Sequence, residues 1–521
     1  MASTILRNIS KYGYPSELLG RGAFGSVHVY RPSGVAVKEE IACDTHTMVN
    51  IIREISFLSL LKKTSSDART YFISLLDVCL DVHHSRLYSY IVMPRAIATL
   101  NDVTIPAQPP LQLTPSDKLS ITKDILFAMH YLISYGITHR DIKSSNILLF
   151  DEGDSSPRAK LIDFGSARLV KEDTLLRESF EFTGKVTTLW YRAPEVLFKR
   201  PIEPVHGHHY LDLWSAGCII YELYTFTHLI SGSDRKECEK MLAEIPGMEM
   251  YIEGPVFVGP NKIDLMLDID IRENIVKKLL CPVPKDRAQP SALLRDFFHV
   301  DIPTPTPLDL SDTITKHNRT QPQYIMILES WLIEVFDVYK GRSDRTLFLA
   351  FSILERYLST LSVITDTSLQ LSGVAALLIA WCLNEVSVIE MSNVTSVLLS
   401  KYTSQDIFEV IACIIIKLDG DMLRTTSYDY LDISTSTYTH STNLENKYIN
   451  DIHRMLYLMR PLSMSPQTLA LLVTKIHGME NVEDIRAELL HHQFIYVPVL
   501  LMNREKWLSP SSLEKINKWY K

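Results

Sequence analysis

Four side chains near residue 150 have the types and the order that phosphoryl transfer requires. In HRDIKSSN, Asp141 is placed to orient a substrate hydroxyl, Lys143 to neutralise charge on the transferred group, and Asn146 to bind Mg²⁺. Asp163 follows in the sequence DFG and offers a second, chelating carboxylate. Mg²⁺ prefers such sparse oxygen ligation and fills its remaining positions with phosphate and water. The segment therefore predicts a Mg²⁺-dependent phosphoryl-transfer site.

A glycine-rich segment, GRGAFGSV, lies near the start of the chain. Gly20, Gly22 and Gly25 would let a tight hairpin approach nucleotide phosphates with its backbone N–H groups. The pattern is weak alone, and simple turn glycines are an equal alternative.

An apolar strand that ends in a lysine, VAVK, follows and strengthens the interpretation. Phosphoryl transfer needs one cation on the α- and β-phosphates, and Lys38 can supply it. Glu54 lies in a stretch of helical periodicity and is the candidate carboxylate that orients this lysine.

Two later segments, APE and DLWSAG, complete a set of six motifs. We expect Asp212 to brace the backbone of the catalytic loop, and Glu195 to form a buried ion pair with Arg287. The six motifs, in this order and spacing, resemble those of a protein kinase domain over residues 14 to about 300.

The resemblance implies a bilobal α+β fold with ATP and Mg²⁺ as cofactors. The implied catalytic set is Asp141, Lys143, Asn146, Lys38, Glu54 and Thr188, with Asn146 and Asp163 as metal ligands. The implied nucleotide-binding residues are Gly20, Gly22, Gly25, Val27, Ala36, Lys38, Met93, Pro94, Ala96 and Asp163. Pro94 has no N–H, but the hinge at that position needs only its carbonyl.

The segments IREIS and TLWYRAPE resemble those of cyclin-dependent kinases. Thr183 then falls where that family carries an activating phosphothreonine. A phosphate there adds nearly two negative charges, and arginine binds phosphate bidentately. The expected phosphate-binding residues are Arg53, Arg140 and Arg168.

Two substitutions and one arginine bear on regulation and specificity. Ala23 and Phe24 occupy glycine-loop positions where relatives carry inhibitory phosphorylation sites, and neither side chain has a hydroxyl. Arg192 resembles the residue that shapes a pocket for proline after the target Ser/Thr. The sequence thus predicts protein substrates with Ser/Thr-Pro sites.

Composition bounds the remaining classes of function. The 521 residues have a net charge of −8, which argues against nucleic acid as the main partner. The longest apolar run, 374–383, is shorter than the roughly 20 residues that span a membrane. Seven cysteines without a CxxC pair favour a reducing intracellular compartment, the nucleus or the cytoplasm.

The chain changes character after residue 300. Residues 301–323 are rich in Pro, Thr and Asp and read as a linker. Beyond them the pattern is almost wholly helical. The segment 369–380 is apolar nearly all round, so it should be the central helix of a bundle, with Gly373, Ala375 and Ala376 allowing close approach.

Three helical segments of this region resemble the cyclin box, which implies an all-α domain at 324–420 and a second cyclin-like repeat at 421–521. The docking patch of that family would map onto Tyr324, Leu328, Trp331 and Gln370, with Glu334 as an acidic contact. A core position for Leu328 and Trp331 is an equal alternative.

Several positions depart from the cyclin pattern. Where cyclins carry an Arg and an Asp, this chain has Ile325 and Glu355. Where they carry a Lys and a Glu that bind the kinase, it has Cys382 and Ile411. The 23-residue linker could reach about 75 Å. Two explanations of the lost charged contacts stay open. The tether keeps a weak contact engaged, or the interface has become apolar.

The sequence predicts a monomeric fusion of a cyclin-dependent-type Ser/Thr kinase with its own activating cyclin, acting in cis. Three alternatives stay open. The C-terminal half is an adaptor or scaffold, it activates another kinase in trans, or it inhibits its own kinase.

Overall fold

The computed structural model describes most of the chain up to residue 430 and three short stretches beyond it. The described residues are 8–22, 25–105, 109–153, 156–169, 189–198, 209–251, 262–308, 310, 322–339, 343–361, 366–385, 387–398, 401–430, 453–454, 457 and 464–477. Most of the predicted second repeat, 421–521, lies outside them. No helix of the described part is long and apolar enough to cross a membrane.

A five-stranded antiparallel sheet forms the N-terminal lobe, with strand order β1-β2-β3-β5-β4. The strands are β1 (Gly13–Arg21), β2 (Gly25–Pro32), β3 (Ala36–Ala42), β4 (Asp77–His83) and β5 (Arg86–Met93). Successive side chains of a strand point to opposite faces, so Ala36, Lys38 and Glu40 of β3 share one face. The register sets Lys38 opposite Val27 on one side and Ile91 on the other.

Helix α1 (Thr45–Leu61) packs between this sheet and the C-terminal half. Asp44 begins the helix in a capping box with Thr47, which satisfies the first N–H groups. Almost every residue from Ile51 to Leu61 is buried. A helix with one solvent face would not bury its polar positions, so the burial of Glu54 and Ser59 shows that α1 is covered on both sides.

The second lobe is mainly helical and holds two small sheets. The short helix α2 (Ser66–Arg69) lies in the chain between α1 and β4. The helices of the second lobe are α3 (Leu100–Thr104), α4 (Pro115–Ser134), α5 (Pro194–Leu197), α6 (His209–Thr225), α7 (Arg235–Ala243), α8 (Lys262–Met266), α9 (Ile269–Ile271), α10 (Lys277–Leu279) and α11 (Pro290–Asp296). Its short strands are β6 (Ala98–Thr99), β7 (Ile137–Thr138), β8 (Ile147–Phe150), β9 (Arg158–Leu161) and β10 (Arg168–Leu169). The predicted catalytic loop lies between β7 and β8.

The predicted linker is docked where the structure describes it. Residues 301–308 are extended, and the side chains of Ile302 and Leu308 pack against the hydrophobic core. The Leu310 carbonyl accepts a hydrogen bond from the Thr425 N–H at 2.8 Å. This segment is therefore anchored at both of these points rather than free along its whole length.

The C-terminal half is a helical bundle, as predicted. Its helices are α12 (Pro322–Asp337), α13 (Asp344–Ser359), α14 (Asp366–Asn384), α15 (Met391–Val397), α16 (Ser404–Lys417) and α17 (Pro466–His477). Helix α14 packs against α12, α13 and α16, which confirms it as the central helix. A Cβ on Gly373 would lie 3.1 Å from Leu332 and 3.2 Å from Leu328, so glycine allows this close approach of α12.

Candidate active site

Lys38 lies among three carboxylates between the two lobes. Its Nζ donates a hydrogen bond to Glu54 Oε2 and lies 3.2 Å from Asp163 Oδ1 and 3.3 Å from Glu40 Oε1. Burial opposes the charge of this lysine, but Glu54, Asp163 and Glu40 outweigh it and raise the pKa of Lys38 well above its ordinary value. The predicted partner Glu54 thus reaches Lys38 from α1.

The catalytic loop holds its functional side chains close together. Lys143 Nζ donates to Asp141 Oδ2 at 2.7 Å. Asn146 Nδ2 donates to the Asp141 carbonyl at 2.9 Å. Lys143 and Asn146 therefore both hydrogen-bond Asp141, which brings the three residues together in one short loop.

Asp212 braces this loop from α6, as predicted. Its carboxylate accepts hydrogen bonds from the N–H groups of His139, at 2.6 Å, and Arg140, at 2.8 Å. Burial raises the pKa of Asp212 to about 7 although these hydrogen bonds oppose the shift. The brace holds Arg140 at φ 67°, a left-handed conformation that is costly for a side chain other than glycine.

Asn146 and Asp163 fit a Mg²⁺ site. The amide nitrogen of Asn146 is occupied by Asp141, which leaves Oδ1 as the oxygen that can bind a cation. Burial opposes ionisation of Asp163, but Lys38 and then His139 lower its pKa, so the carboxylate is charged. Among the described residues no group of three or more His, Cys, Asp or Glu forms a metal site, and a two-ligand site completed by phosphate suits Mg²⁺.

Five of the predicted nucleotide-binding residues lie on β2, β3 and the end of β5: Gly25, Val27, Ala36, Lys38 and Met93. Ala36 is opposite Met93, and Val27 is opposite Lys38. A Cβ on Gly25 would lie 1.9 Å from the Glu39 carbonyl oxygen, so this strand pairing requires glycine there.

The other predicted loop and hinge positions differ in what surrounds them. A Cβ on Gly20 would meet nothing within 4 Å, and Gly22 donates its N–H to the Gly25 carbonyl at 2.8 Å. Pro94 and Ala96 follow β5, in the stretch that leads to β6. Ala23 and Phe24 lie outside the described residues.

A cleft beside the catalytic loop is lined by Asp141, Arg192, Ala193 and Val196. Burial and then the neighbouring Arg235 lower the pKa of Arg192. The cleft brings Arg192 to the same surface as Asp141.

The buried ion pair of Glu195 with Arg287 is present as predicted. The guanidinium donates to both carboxylate oxygens at 2.7 Å and stacks 5.2 Å from the Trp214 ring. This pair fixes the end of the segment that follows the catalytic loop.

Two of the three predicted phosphate-binding arginines donate to the carboxyl end of α14. Arg53 Nε donates to the Cys382 carbonyl at 2.7 Å. Arg168 donates to the Asn384 and Glu385 carbonyls at 2.6 and 2.7 Å. The last carbonyls of a helix lack intrahelical partners and carry its negative end, so both cations are well placed there. Thr183 and Thr188 lie outside the described residues.

The third arginine stays within its own half. Arg140 Nε donates to the Ser166 carbonyl at 2.8 Å, which joins the catalytic loop to the segment after Asp163.

The contact of the C-terminal half with α1 is polar as well as apolar. Cys382 and Ile411 are buried, as an apolar interface requires. Polar contacts nevertheless flank them: Thr45 donates to the Ile389 carbonyl at 2.6 Å, and Lys63 pairs with Asp421 at 2.5 Å. In this interface the N-terminal half supplies the donors, and the C-terminal half supplies mostly backbone carbonyls.

Gly420 is a contact residue that the sequence did not suggest. It follows α16 at φ 71°, and a Cβ there would lie 2.3 Å from Ser59 Oγ and 2.8 Å from Ile55 Cγ2. Ser59 also donates to the Asp419 carbonyl at 3.0 Å. The turn therefore lies directly on the carboxyl-terminal part of α1. The sequence LDGD carried a turn signal but none for this contact.

The predicted docking residues are divided between core and surface. Leu328 is 5% exposed and belongs to the core, so it offers no docking surface and the alternative interpretation is correct for it. Trp331 is half-buried, and Gln370 is exposed. Ile327, adjacent to Leu328, is 53% exposed on α12. The side chain of Tyr324 lies outside the described residues, and Glu334 is half-buried.

Comparisons with known proteins agree with this arrangement. Residues 15–298 match the family model of the protein kinase domain, and residues 304–423 match that of the cyclin N-terminal domain. The chain is 26% identical over 330 residues to the CTD kinase subunit alpha of Schizosaccharomyces pombe, which covers 57% of this chain and 51% of that protein. It thus spans about half the length of that relative.

Other relatives are matched over more of their own length. Human cyclin-dependent kinase 9 is 26% identical over 347 residues, which cover 61% of this chain and 87% of that protein. The cyclin-dependent kinase 4 homolog of Caenorhabditis elegans is 29% identical over 308 residues, 58% of this chain and 63% of that protein. A chain in the crystal structure of the yeast RNA Pol II CTD kinase CTDK-1 complex aligns at 22% identity and a TM-score of 0.43, over 56% of this chain and 95% of that chain. The chain belongs to the protein kinase family, as a serine/threonine kinase domain of cyclin-dependent type followed by a cyclin N-terminal domain.

Proposed function

We propose that the chain is a protein kinase that its own cyclin half activates in cis, with ATP and Mg²⁺ as cofactors and Ser/Thr-Pro sites in proteins as substrates. The kinase half is residues 1–300, and the cyclin half is the remainder. The observation that carries the proposal is the pair of Lys38 with Glu54, formed while α1 is held against α14 and the turn that follows α16.

Activation by the cyclin half follows from the position of Glu54. The residue reaches Lys38 only from α1, so whatever fixes α1 also fixes this pair. The cyclin half contacts α1 along its length, from Thr45 through Arg53 to Ser59. A binding partner shifts a conformational equilibrium only as far as it binds one state better than the other. The contacts from the cyclin half exist only when α1 is docked, so they favour the docked state.

Action in cis is supported by the path of the linker. Residues 301–308 continue from α11, and Leu310 is bonded to Thr425, close behind α16. Only residues 311–321 separate Leu310 from α12, a span of about 36 Å at full extension. A tether this short gives millimolar effective concentration, which favours the cyclin half of the same chain and a monomer.

In the chemistry that we propose, Asp141 orients the substrate hydroxyl and Lys143 neutralises charge on the transferred phosphoryl group. Lys38 holds the nucleotide phosphates, and Asn146 and Asp163 would hold Mg²⁺, which would neutralise phosphate charge when bound. Arg192, beside Asp141 in the cleft, selects proline after the target residue.

The experiment compares purified full-length protein on a Ser-Pro peptide and a Ser-Ala peptide, with Asp141→Asn as the inactive control. We expect activity that needs Mg²⁺, prefers Ser-Pro and disappears in the control. Equal rates on both peptides would refute only the proposed role of Arg192 and leave the rest of the proposal standing.

The alternative functions give other results in the same assay. An adaptor or an autoinhibitory cyclin half predicts activity that persists or rises when the contact with α1 is weakened. Activation of another kinase in trans predicts that the full-length protein stimulates an added cyclin-free kinase.

A further inference from the structure

Glu40 is a buried carboxylate that the proposed mechanism does not use. It lies two residues after Lys38 on the same face of β3 and is 3% exposed. Its Oε1 is 3.3 Å from Lys38 Nζ, and its Oε2 is buried without a hydrogen-bond partner among the described residues. Burying a carboxylate is unfavourable unless a cation and hydrogen bonds compensate for it, so a glutamate at this buried position calls for an explanation.

The residue opposite Glu40 is also polar and also incompletely bonded. Ser89 of β5 pairs with Glu40 in the ladder, is fully buried, and has an Oγ without a partner among the described residues. The site is therefore not built to satisfy Glu40 by itself. Lys38 is the cation that stabilises the charge of this carboxylate.

Glu40 and Glu54 approach Lys38 from different structural elements. Glu40 belongs to the same strand, so it stays beside the lysine whatever α1 does. Glu54 is carried by α1 and reaches the lysine only when that helix is docked. With both present, Glu40 and Glu54 share Lys38 with Asp163 and repel each other. When α1 leaves, the lysine keeps Glu40 and Asp163, and the repulsion between Glu54 and Glu40 ends.

We propose that Glu40 is a positioning residue that competes with Glu54 for Lys38 and thereby makes kinase activity depend on the docked cyclin half. The competition lowers the free-energy gain from docking Glu54, so α1 alone does not hold the active arrangement. The contacts from the cyclin half supply the remaining free energy that keeps α1 docked. This inference rests on the proposed activation by the cyclin half.

The test weakens the cyclin contact and asks whether removal of Glu40 restores activity. Gly420→Ala brings a Cβ into Ser59 and Ile55, and it carries the strain of a positive φ. Gly34→Ala is the matched control, because Gly34 has φ 73° with nothing within 4 Å of a Cβ. Full-length proteins are assayed with a Ser-Pro peptide at saturating ATP, and hydrogen exchange of α1 reports docking.

We expect Gly420→Ala to lower kcat and to speed exchange in α1, with Gly34→Ala like the wild type. Glu40→Gln in the Gly420→Ala background should then raise kcat by roughly fivefold or more, the usual lower bound of coupling between sites. Glu40→Asp keeps a competing carboxylate and should not restore activity.

The outcomes separate the inference from the function on which it rests. If Gly420→Ala lowers kcat and Glu40→Gln does not restore it, the competition is refuted and activation by the cyclin half stands. If Glu40→Gln lowers kcat equally in both backgrounds, Glu40 only stabilises the fold and the inference is wrong. If α1 exchanges faster in Gly420→Ala while kcat is unchanged, both the inference and the proposed activation fall.

Discussion

Replacing Arg168 by alanine should weaken the binding of the two halves of the protein to each other. The Arg168 guanidinium donates to the Asn384 and Glu385 carbonyls at 2.6 and 2.7 Å, at the end of α14. A hydrogen bond from a charged group contributes about 1.5–3 kcal/mol, so we take roughly 3 kcal/mol for the two. At about 1.4 kcal/mol per tenfold change, the two halves should bind more than a hundredfold more weakly.

The assay makes the contact bimolecular. A protease site placed between residues 311 and 321 is cleaved after purification, and the Kd of the two halves is measured by calorimetry without nucleotide. Arg168→Lys keeps the charge beside the helix end but loses the fork, so we expect an intermediate Kd. Arg69→Ala, an exposed arginine of α2 away from this contact, is the control. An unchanged Kd for Arg168→Ala would show that these hydrogen bonds do not hold the halves together.

Three other changes test the site and the fold. Glu195→Gln leaves the buried Arg287 charge uncompensated, so urea unfolding should show a loss of about 3–5 kcal/mol while the KM for ATP is unchanged; a loss below 1 kcal/mol would contradict this. Burial lowers the pKa of His139, so the histidine binds a proton more readily in the unfolded chain than in the folded protein. Below about pH 6.5 the free energy of unfolding of the wild type should therefore fall as the pH falls. It should fall more steeply than that of His139→Gln over the same pH range. Gly25→Ala should raise the KM for ATP, because its Cβ meets the Glu39 carbonyl. Gly34→Ala, whose Cβ meets nothing within 4 Å, should leave the KM unchanged. Equal KM values for the two variants would refute the requirement for glycine at position 25.

The catalytic residues could be predicted because their chemistry fixes both residue type and order. Asp141, Lys143 and Asn146 lie within six residues, so a short loop brings them together in any fold that presents it. Glu54 was predictable as a partner of Lys38 because helical periodicity placed it on a regular helix near an isolated strand lysine. Predicting the role of Asp212 also required the order of the motifs, since this residue reaches the catalytic loop from a helix that is distant in the sequence.

The interface could not be predicted in the same way. Arg53 and Arg168 bind backbone carbonyls, and a carbonyl leaves no signature in the sequence of the residue that carries it. The loss of the expected lysine at Cys382 suggested a weaker polar contact, yet the carbonyl of that same residue accepts the Arg53 hydrogen bond. Gly420 likewise reads as an ordinary turn glycine until Ser59 is seen beneath it.

Leu328 and Ile327 show the limit of assigning faces on a helix. The two residues are adjacent, and the side that each presents depends on where α14 packs. The close approach of Gly373 to Leu328 buries that leucine and leaves Ile327 at the surface.

The most direct test of the account is the specific activity of purified full-length protein as it is diluted from micromolar to nanomolar concentration. The halves lie on one chain and meet through α1, so we predict that activity per molecule stays constant for the wild type. The same series on protein cleaved between residues 311 and 321 should lose activity on dilution as the halves separate. Activity of the intact chain that falls with dilution, or cleaved protein that stays fully active at nanomolar concentration, would contradict activation in cis by the cyclin half.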